Sequence, residues 1–279
     1  MTAFFKVSGS GNDFLALAEP ASVPSPERIR AWCRRGVSLG ADGLFVLRRT
    51  PGENGGVAMD YFNSDGFPAD LCLNGTRCAA QLAFHLGWAE GGLRVGTGAG
   101  GFLARRIDET RIQLEVPAPE PPREAAPEVD GIARAGFFLR VGVPHFVLVW
   151  PESLETAPVL TLGPPLRRHP VFAEGANVNF VRFTAPDQIE TRMEIRTYER
   201  GVEAETLSCG TGILAGAAVG LALAKACLPL RVFTRGGFEL GVDTDPRSGC
   251  WLLAGDARIV AQGELLPGAE AREEGRIER

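Results

Sequence analysis

The chain has 279 residues, of which 45% are hydrophobic and 23% are charged. This composition supplies one large core or two ordinary ones, and it excludes a disordered, collagen-like or coiled-coil protein. The formal charge of −5, from 29 basic and 34 acidic residues, argues against a broad nucleic-acid surface. No apolar run reaches membrane-spanning length, and the first residues lack a signal-peptide pattern. We therefore expect a cytoplasmic protein that binds neither nucleic acid nor membranes.

A proline-rich segment at residues 117–127 carries five prolines in eleven positions. Such a sequence continues neither a helix nor an interior strand, so it is interpreted as a linker between two domains. The expected first domain comprises residues 1–116 together with a C-terminal segment, 262–279. The expected second domain comprises residues 117–261. The last dozen residues are mostly charged and predict a solvated tail or an exposed final helix.

Short runs of β-branched and aromatic residues, bounded by Gly or Pro, predict strands. They lie at residues 45–47, 137–141, 146–149 and 178–181. Two Ala- and Leu-rich stretches, 76–88 and 211–227, predict helices. The second is apolar almost all round, and a helix that is apolar on every face is buried on every face. Each half is therefore expected to be an α/β (α+β) domain, with a mixed sheet wrapped around one central helix.

An internal repeat connects the two halves of the sequence. The only two tyrosines of the chain each precede a cysteine by eleven residues: Tyr61 precedes Cys72, and Tyr198 precedes Cys209. An Ala- and Leu-rich helix follows each cysteine. The repeat predicts two pseudo-symmetric domains, each with one functional cysteine, and an active site in the cleft between them.

Each repeated cysteine stands where a strand or loop turns into a helix. The unpaired N–H groups and the positive end of the helix dipole lower the pKa of a thiol there, and they can also bind a carboxylate or an oxyanion. Two opposed sulfurs suit the inversion of a carbon acid, because one removes the proton while the other returns it on the opposite face. A nucleophilic cysteine hydrolase is the weaker alternative, since it needs a Cys–His pair and His145 is its only plausible histidine.

Other uses of the cysteines and glycines fit less well. A long chain in a reducing compartment has no need of disulfides, and the three histidines lack metal-ligand spacing. The pattern Gly96-x-Gly98-x-x-Gly101 leads into strand-like residues 102–107 instead of the helix that a dinucleotide site requires. The four remaining cysteines are interpreted as small buried hydrophobes: Cys33, Cys78, Cys227 and Cys250.

The motifs around the repeated cysteines resemble those of the diaminopimelate epimerases. The resemblance runs from end to end and is carried by KVSGSGNDF at 6–14, GADG at 40–43, FNSDG at 62–66 with CLNGTRC at 72–78, and ERGV at 199–202 with ETLSCGTG at 205–212. The two cysteine motifs at this spacing are specific.

The resemblance implies a pyridoxal-independent epimerase, usually a homodimer, that needs no cofactor or metal. It converts LL-2,6-diaminopimelate to the meso isomer, a precursor of lysine and peptidoglycan. Cys72 and Cys209 would be the two catalytic bases, and His145 would support them. The matching substrate-binding positions are Asn12, Asn63, Leu73, Asn74, Asn177, Glu199, Arg200, Gly210 and Thr211. Of these, Leu73, Asn74, Gly210 and Thr211 would hold the reacting carboxylate through backbone amides at the helix starts.

Four positions depart from the family pattern. Leu73 replaces a glycine, and it would be strained if a glycine-only φ were required. Val143 replaces an asparagine before Pro-His, Ser8 replaces a common histidine, and Gly43 replaces a glutamine found in some members. These changes leave the racemisation chemistry intact and bear on substrate specificity. The alternatives are therefore a related cofactor-independent racemase with another substrate and a non-catalytic binding protein on the same fold.

Overall fold

The computed structural model describes residues 2–51, 56–184 and 191–270. These residues form nineteen strands, four α-helices and two short 3-10 helices. The strands are β1 (Thr2–Gly9), β2 (Asn12–Ala18), β3 (Gly43–Thr50), β4 (Gly56–Asn63), β5 (Gly92–Thr97), β6 (Gly100–Arg106), β7 (Arg111–Val116), β8 (Arg123–Ala125), β9 (Glu128–Val129), β10 (Ile132–Ala133), β11 (Gly136–Val141), β12 (Val143–Val149), β13 (Asn177–Thr184), β14 (Arg192–Glu199), β15 (Ala204–Thr206), β16 (Leu230–Thr234), β17 (Glu239–Thr244), β18 (Trp251–Asp256) and β19 (Arg258–Leu265). The α-helices are α1 (Pro26–Cys33), α2 (Leu73–His85), α3 (Val159–Arg167) and α4 (Gly210–Ala222), and the 3-10 helices are Leu154–Thr156 and Pro267–Glu270.

The chain divides into two compact units. The first comprises Met1–Thr110 and Ala257–Arg279, and the second comprises Arg111–Asp256. These boundaries differ from the expected ones for two reasons. Strand β7 pairs with β18 in the second unit, and β19 pairs along its length with β1 in the first. The proline-rich segment lies inside the second unit, because its proline-free residues 123–125 pair with β11 as strand β8.

The first unit is a mixed sheet around helix α2. Its strand order is β19-β1-β2-β3-β4-β5-β6, in which β2–β3 and β4–β5 are the parallel pairs. Parallel neighbours require a crossover, and α1 and α2 supply the two crossovers. Helix α2 contacts all seven strands, and its first twelve residues are buried. Helix α1 packs Ile29 and Trp32 against buried residues of β2 and β3.

The second unit repeats this plan around helix α4. Its strand order is β8-β11-β12-β13-β14-β16-β17-β18-β7, with β15 and β16 paired to opposite ends of β14. The parallel pairs are β12–β13, joined through α3, and β14–β16, joined through α4. Helix α4 contacts strands β11 to β14 and is buried from Gly210 to Gly220. The expectation of one buried central helix in each half is confirmed.

The register of the strands makes the internal repeat residue-specific. In the first unit, Phe14 of β2 pairs with Gly43 at the start of β3. In the second unit, His145 of β12 pairs with Asn177 at the start of β13. Because Asn12 and Val143 each lie two residues before these paired positions, they occupy equivalent places in the two units.

The predicted strands are present and longer than expected, whereas the central helices begin and end earlier than expected. Both helices begin at the residue after a repeated cysteine. Helix α2 is followed by Gly87 at φ 69°, and α4 by Ala224 at φ 52°. A left-handed residue ends a helix, so neither one continues to the predicted limit. Residues 102–106 form part of β6, as predicted. Of the expected C-terminal tail, residues 271–279 lie outside the described residues.

None of the helices within the described ranges combines the length and the apolar character that crossing a membrane requires.

Candidate active site

Cys72 immediately precedes helix α2, so that its sulfur lies at the helix N-terminus. Its backbone is extended (φ −142°, ψ 101°), and the sulfur accepts the N–H of Gly75 at 3.4 Å. Its carbonyl oxygen accepts the hydroxyl of Thr76 at 2.9 Å. An N–H directed at the sulfur and the positive end of the helix dipole both favour a thiolate. Cys72 is partly exposed.

Cys209 holds the same position before helix α4. Its backbone is also extended (φ −126°, ψ 109°), and its carbonyl oxygen accepts the N–H of Ile213 at 3.0 Å. Its sulfur lies 3.5 Å from the hydroxyl of Thr211, and the residue is buried. Both cysteines therefore lie at helix starts, as predicted. Each unit thus offers one sulfur and one helix N-terminus.

In the first unit, the β1–β2 hairpin lies directly on the first turn of α2. Gly9 permits this approach, because a Cβ there would lie 2.8 Å from Cys78 Sγ and 2.9 Å from the carbonyl oxygen of Asn74. The approach brings Asn12 to Asn74, whose Nδ2 donates to Asn12 Oδ1 at 2.5 Å. Asn12 Nδ2 in turn donates to Asp42 Oδ2 at 3.1 Å. Two predicted binding residues of this unit are therefore in direct contact.

Leu73 and Asn63 complete the predicted residues of the first unit. Leu73 is the first residue of α2, is buried, and is not among the residues with positive φ. The strain considered for a leucine at this position is therefore not present. Asn63 ends strand β4, where its N–H donates to the carbonyl of Phe67 at 2.9 Å, and its side chain is partly exposed.

In the second unit, Asn177 ties the start of β13 to its neighbours. Its Oδ1 accepts the backbone N–H of Arg200 at 2.8 Å, and its Nδ2 donates to the carbonyl of Pro144 at 3.4 Å. The Arg200 guanidinium donates to the carbonyl of Glu174 at 3.1 Å and is partly exposed. Glu199 is the last residue of β14 and is also partly exposed. Asn177, Glu199 and Arg200 thus cluster at one end of β13 and β14.

His145 is fully buried in β12, next to Asn179 of β13. Asn179 Nδ2 lies 3.1 Å from His145 Nδ1, while Asn179 Oδ1 accepts the hydroxyl of Thr197 at 3.0 Å. An Nδ1 that accepts places the ring proton on Nε2, which has no hydrogen-bond partner among the described residues. Burial, with a smaller contribution from the Arg200 charge, lowers the pKa of His145 to about 3. The imidazole is therefore neutral at pH 7.

Asn179 also shapes the start of α4. A Cβ on Gly212, in the first turn of the helix, would collide with Asn179 Oδ1. Glycine is needed here because the polar side chains of β13 and β14 pack directly on the helix. Packing therefore explains the second glycine of the motif CGTG, whereas the backbone amides of the motif explain its place at the helix start.

Sequence reasoning missed four polar residues that surround the predicted ones. Asp42 and Arg77 lie within motifs quoted for the family resemblance, but no role was assigned to them. Asn179 and Thr197 belong to none of these motifs. Asn179 could have been found from strand periodicity, because it lies two residues from Asn177 and therefore on the same face of β13.

The other cysteines differ in environment. Cys33 and Cys78 are buried as predicted, and burial raises the pKa of the Cys33 thiol to about 12. The prediction was wrong for Cys227, which is exposed, and for Cys250, which is partly exposed. Both lie in connections between elements, Cys227 after α4 and Cys250 just before β18, where no second layer covers them. Across residues 2–51, 56–184 and 191–270, no three His, Cys, Asp or Glu side chains group as metal ligands.

Solved structures with this fold include a phenazine biosynthesis protein and a probable racemase. A PhzF-family phenazine biosynthesis protein from Bacillus anthracis superposes with a TM-score of 0.71 at 17% identity, covering 95% of this chain and 99% of that one. A probable proline racemase from Agrobacterium radiobacter K84, with bound carbonate, gives a TM-score of 0.68 at 16% identity, covering 97% and 96%. At these identities the similarity defines the class of fold: two repeated α/β units, each around one central helix.

The sequence comparisons define the family within this class. The family model for diaminopimelate epimerase matches residues 4–116 and 137–259. The diaminopimelate epimerase of Aquifex aeolicus (strain VF5) is 36% identical over 278 residues, which cover 94% of this chain and 97% of that protein. The chain belongs to the diaminopimelate epimerase family, as the motif resemblance predicted.

The low pKa of His145 predicts a pH dependence of stability. The pKa of His145 is about 3 in the folded chain and 6.5 in its ordinary state. At a pH between these two values, the unfolded chain binds a proton at this histidine that the folded chain does not. The neutral histidine therefore contributes fully to the free energy of unfolding above pH 6.5. As the pH falls below 6.5, the free energy of unfolding decreases by up to about 1.4 kcal/mol per pH unit. We expect His145→Gln to remove that slope in denaturant unfolding between about pH 4.5 and 7. His85→Gln, at an exposed histidine, is the control, and an unchanged slope in His145→Gln would contradict the assignment.

Proposed function

We propose that this chain interconverts LL- and meso-2,6-diaminopimelate by a two-base mechanism, with Cys72 and Cys209 as the bases. Membership of the family supports the reaction. The observation that carries the mechanism is the equivalent placement of the two cysteines, each directly before a buried helix. The mechanism requires both sulfurs to reach one α-carbon.

In the proposed step, a thiolate removes the α-proton and the opposite thiol delivers its own proton to the other face. The electron pair left by the broken C–H bond spreads into the adjacent carboxylate before the new C–H bond forms. After one turnover the first sulfur is a thiol and the second a thiolate, so the reverse reaction starts from the exchanged state. The N–H groups of Leu73, Asn74, Gly210 and Thr211 would stabilise the charge that develops on the carboxylate.

The remaining predicted residues would bind the rest of the substrate. Among the described residues, the Arg200 guanidinium donates to a single carbonyl, that of Glu174, which leaves donors for a distal carboxylate. Glu199, next to it, would accept from the distal ammonium. Asn12, Asn63 and Asn177 would supply further polar contacts, and neutral His145 would support the site without carrying charge.

The two-base assignment is tested by solvent deuterium. In D₂O, the wild type should wash deuterium into the α-carbon of diaminopimelate and invert it. Cys72→Ala and Cys209→Ala should each lose inversion, by at least about 10²–10⁴-fold, because one proton carrier is missing. Cys→Ser at either position should lose most of it, since a hydroxyl is a much weaker acid than a thiol. Cys227→Ala, at an exposed cysteine, is the control. Near-normal inversion in either Ala variant would refute the mechanism.

The valine at position 143 is an observation in favour of one alternative function, that of a related racemase with a different substrate. It occupies the place equivalent to Asn12, yet it offers no hydrogen bond. If diaminopimelate is the substrate, Val143→Asn should add one hydrogen bond, worth about 0.5–1.5 kcal/mol. We expect KM to fall about 2- to 10-fold with kcat nearly unchanged. Val171→Asn, at an exposed valine, should change neither. Faster exchange of a monocarboxylic amino acid such as proline or histidine would establish the alternative instead.

We also propose a homodimer in the cytoplasm. Strand β19 pairs only with β1 among the described residues, and Val260 in it is 61% exposed. An uncovered edge strand can pair with its copy across a two-fold axis. A reducing compartment would keep both catalytic thiols free. Sedimentation equilibrium should give twice the chain mass, and a monomer at micromolar concentration would contradict this assembly.

A further inference from the structure

A chain of hydrogen bonds runs from Arg77 to Asp42 through two predicted binding residues. Arg77 is fully buried in α2, and its NH2 group donates to Asn74 Oδ1 at 2.7 Å. Asn74 Nδ2 donates to Asn12 Oδ1 at 2.5 Å, and Asn12 Nδ2 donates to Asp42 Oδ2 at 3.1 Å. Each of these three hydrogen bonds joins one donor to one acceptor, and Asn12 is the third member of the chain.

The two ends give the chain a single direction. A guanidinium can only donate, so the side-chain oxygen of Asn74 must face Arg77. A carboxylate can only accept, so the amide nitrogen of Asn12 must face Asp42. If either asparagine amide between these ends rotated by 180°, two donors or two acceptors would face each other. The orientation of Asn12 is therefore determined by residues outside the predicted binding set.

The same guanidinium also holds the backbone that carries Asn12. Arg77 NH2 donates to Ser10 Oγ at 2.9 Å. Ser10 (φ 52°) and Gly11 (φ 92°) form the two-residue turn of the β1–β2 hairpin, and Asn12 follows directly. Two positive φ values are what such a turn requires. Arg77 thus contacts both the turn before Asn12 and the amide that Asn12 binds.

We propose that Arg77 and Asp42 are positioning residues that fix the side-chain amide of Asn12 in one orientation toward the substrate. This inference rests on the proposed function, in which Asn12 binds substrate. A turned amide would exchange donor for acceptor at the ligand, so loss of either end should weaken binding without altering the proton carriers. In the second unit, Val143 occupies the place equivalent to Asn12, so no side-chain amide needs to be oriented there.

Asp42→Asn is the sharpest test, because it preserves shape and removes the obligatory acceptor. Asp42 also pairs with Arg35 NH2 at 2.8 Å, so a lost ion pair must be distinguished from a lost orientation. Arg35→Gln is the matched control, since it removes that ion pair, together with the pair between Arg35 and Asp13, and leaves the Asp42 carboxylate. We expect Asp42→Asn to raise KM for diaminopimelate about fivefold with kcat within twofold, the value of about one hydrogen bond. Arg35→Gln should leave both constants within twofold.

The other end is tested by Arg77→Lys, which keeps an obligatory donor, and Arg77→Gln, which does not. The lysine variant should stay within about threefold of the wild-type KM, while the glutamine variant should behave like Asp42→Asn. If the glutamine variant does not fold, the Asp42→Asn and Arg35→Gln comparison decides. Equal effects of Asp42→Asn and Arg35→Gln, or a loss of kcat with KM unchanged, would overturn the proposal.

A readout without substrate separates this proposal from the proposed function. Hydrogen exchange of the Asn12 Nδ2 protons, followed by NMR, should accelerate about tenfold or more in Asp42→Asn and stay near wild type in Arg35→Gln. Unchanged exchange in Asp42→Asn would overturn the positioning role even in an active enzyme. A wild type that does not exchange the α-proton of diaminopimelate would refute the proposed function and leave the exchange result valid.

Discussion

The burial of two helices along almost their full length is the constraint on which the rest of the structure depends. The first turn of any helix leaves N–H groups without intrahelical partners. When that first turn is buried, as it is in α2 and α4, those groups lie within the protein and need polar partners there. In α2, one of these groups, the N–H of Gly75, donates to the sulfur of Cys72. The same unpaired groups and the same dipole make each helix start suited to a sulfur and to a bound anion.

The two units surround their helix starts with different polar residues. In the first, a buried charge at Arg77 organises Asn74 and Asn12, and Gly9 lets the hairpin reach the helix. In the second, the partners are neutral: Asn179, Thr197 and His145 pack beside the first turn of α4. A buried imidazole avoids the cost of burying a charge by staying unprotonated, whereas a buried guanidinium cannot lose its proton and must be surrounded by acceptors.

Sequence periodicity and motif spacing predicted the central helices, the repeat and the position of both cysteines. These features follow from local composition, as the all-apolar α4 illustrates. The predicted domain boundaries, after residues 116 and 261, lie close to those of the two units, after residues 110 and 256. The offset arises because β7 pairs with β18 and β19 pairs with β1, and proline content does not indicate such pairing. Asp42 and Arg77 lie within the family motifs, but their role depends on the contact between the β1–β2 hairpin and helix α2, which lies more than sixty residues further along the chain. Long-range contacts of this kind leave no periodic signal.

The unequal surroundings of the two sulfurs suit the proposed reaction. Inverting one of two α-carbons requires a site that treats the ends of the substrate differently, whereas proton transfer on two faces requires equivalent sulfurs. Gene duplication supplies the equivalence, visible in the matching backbone of Cys72 and Cys209. Divergence of the flanking positions supplies the difference, since Asn12 and Val143 hold the same place with opposite polarity. In the proposed mechanism, the repeat therefore supplies the acid–base pair, and the residues around it select which end of a substrate reacts.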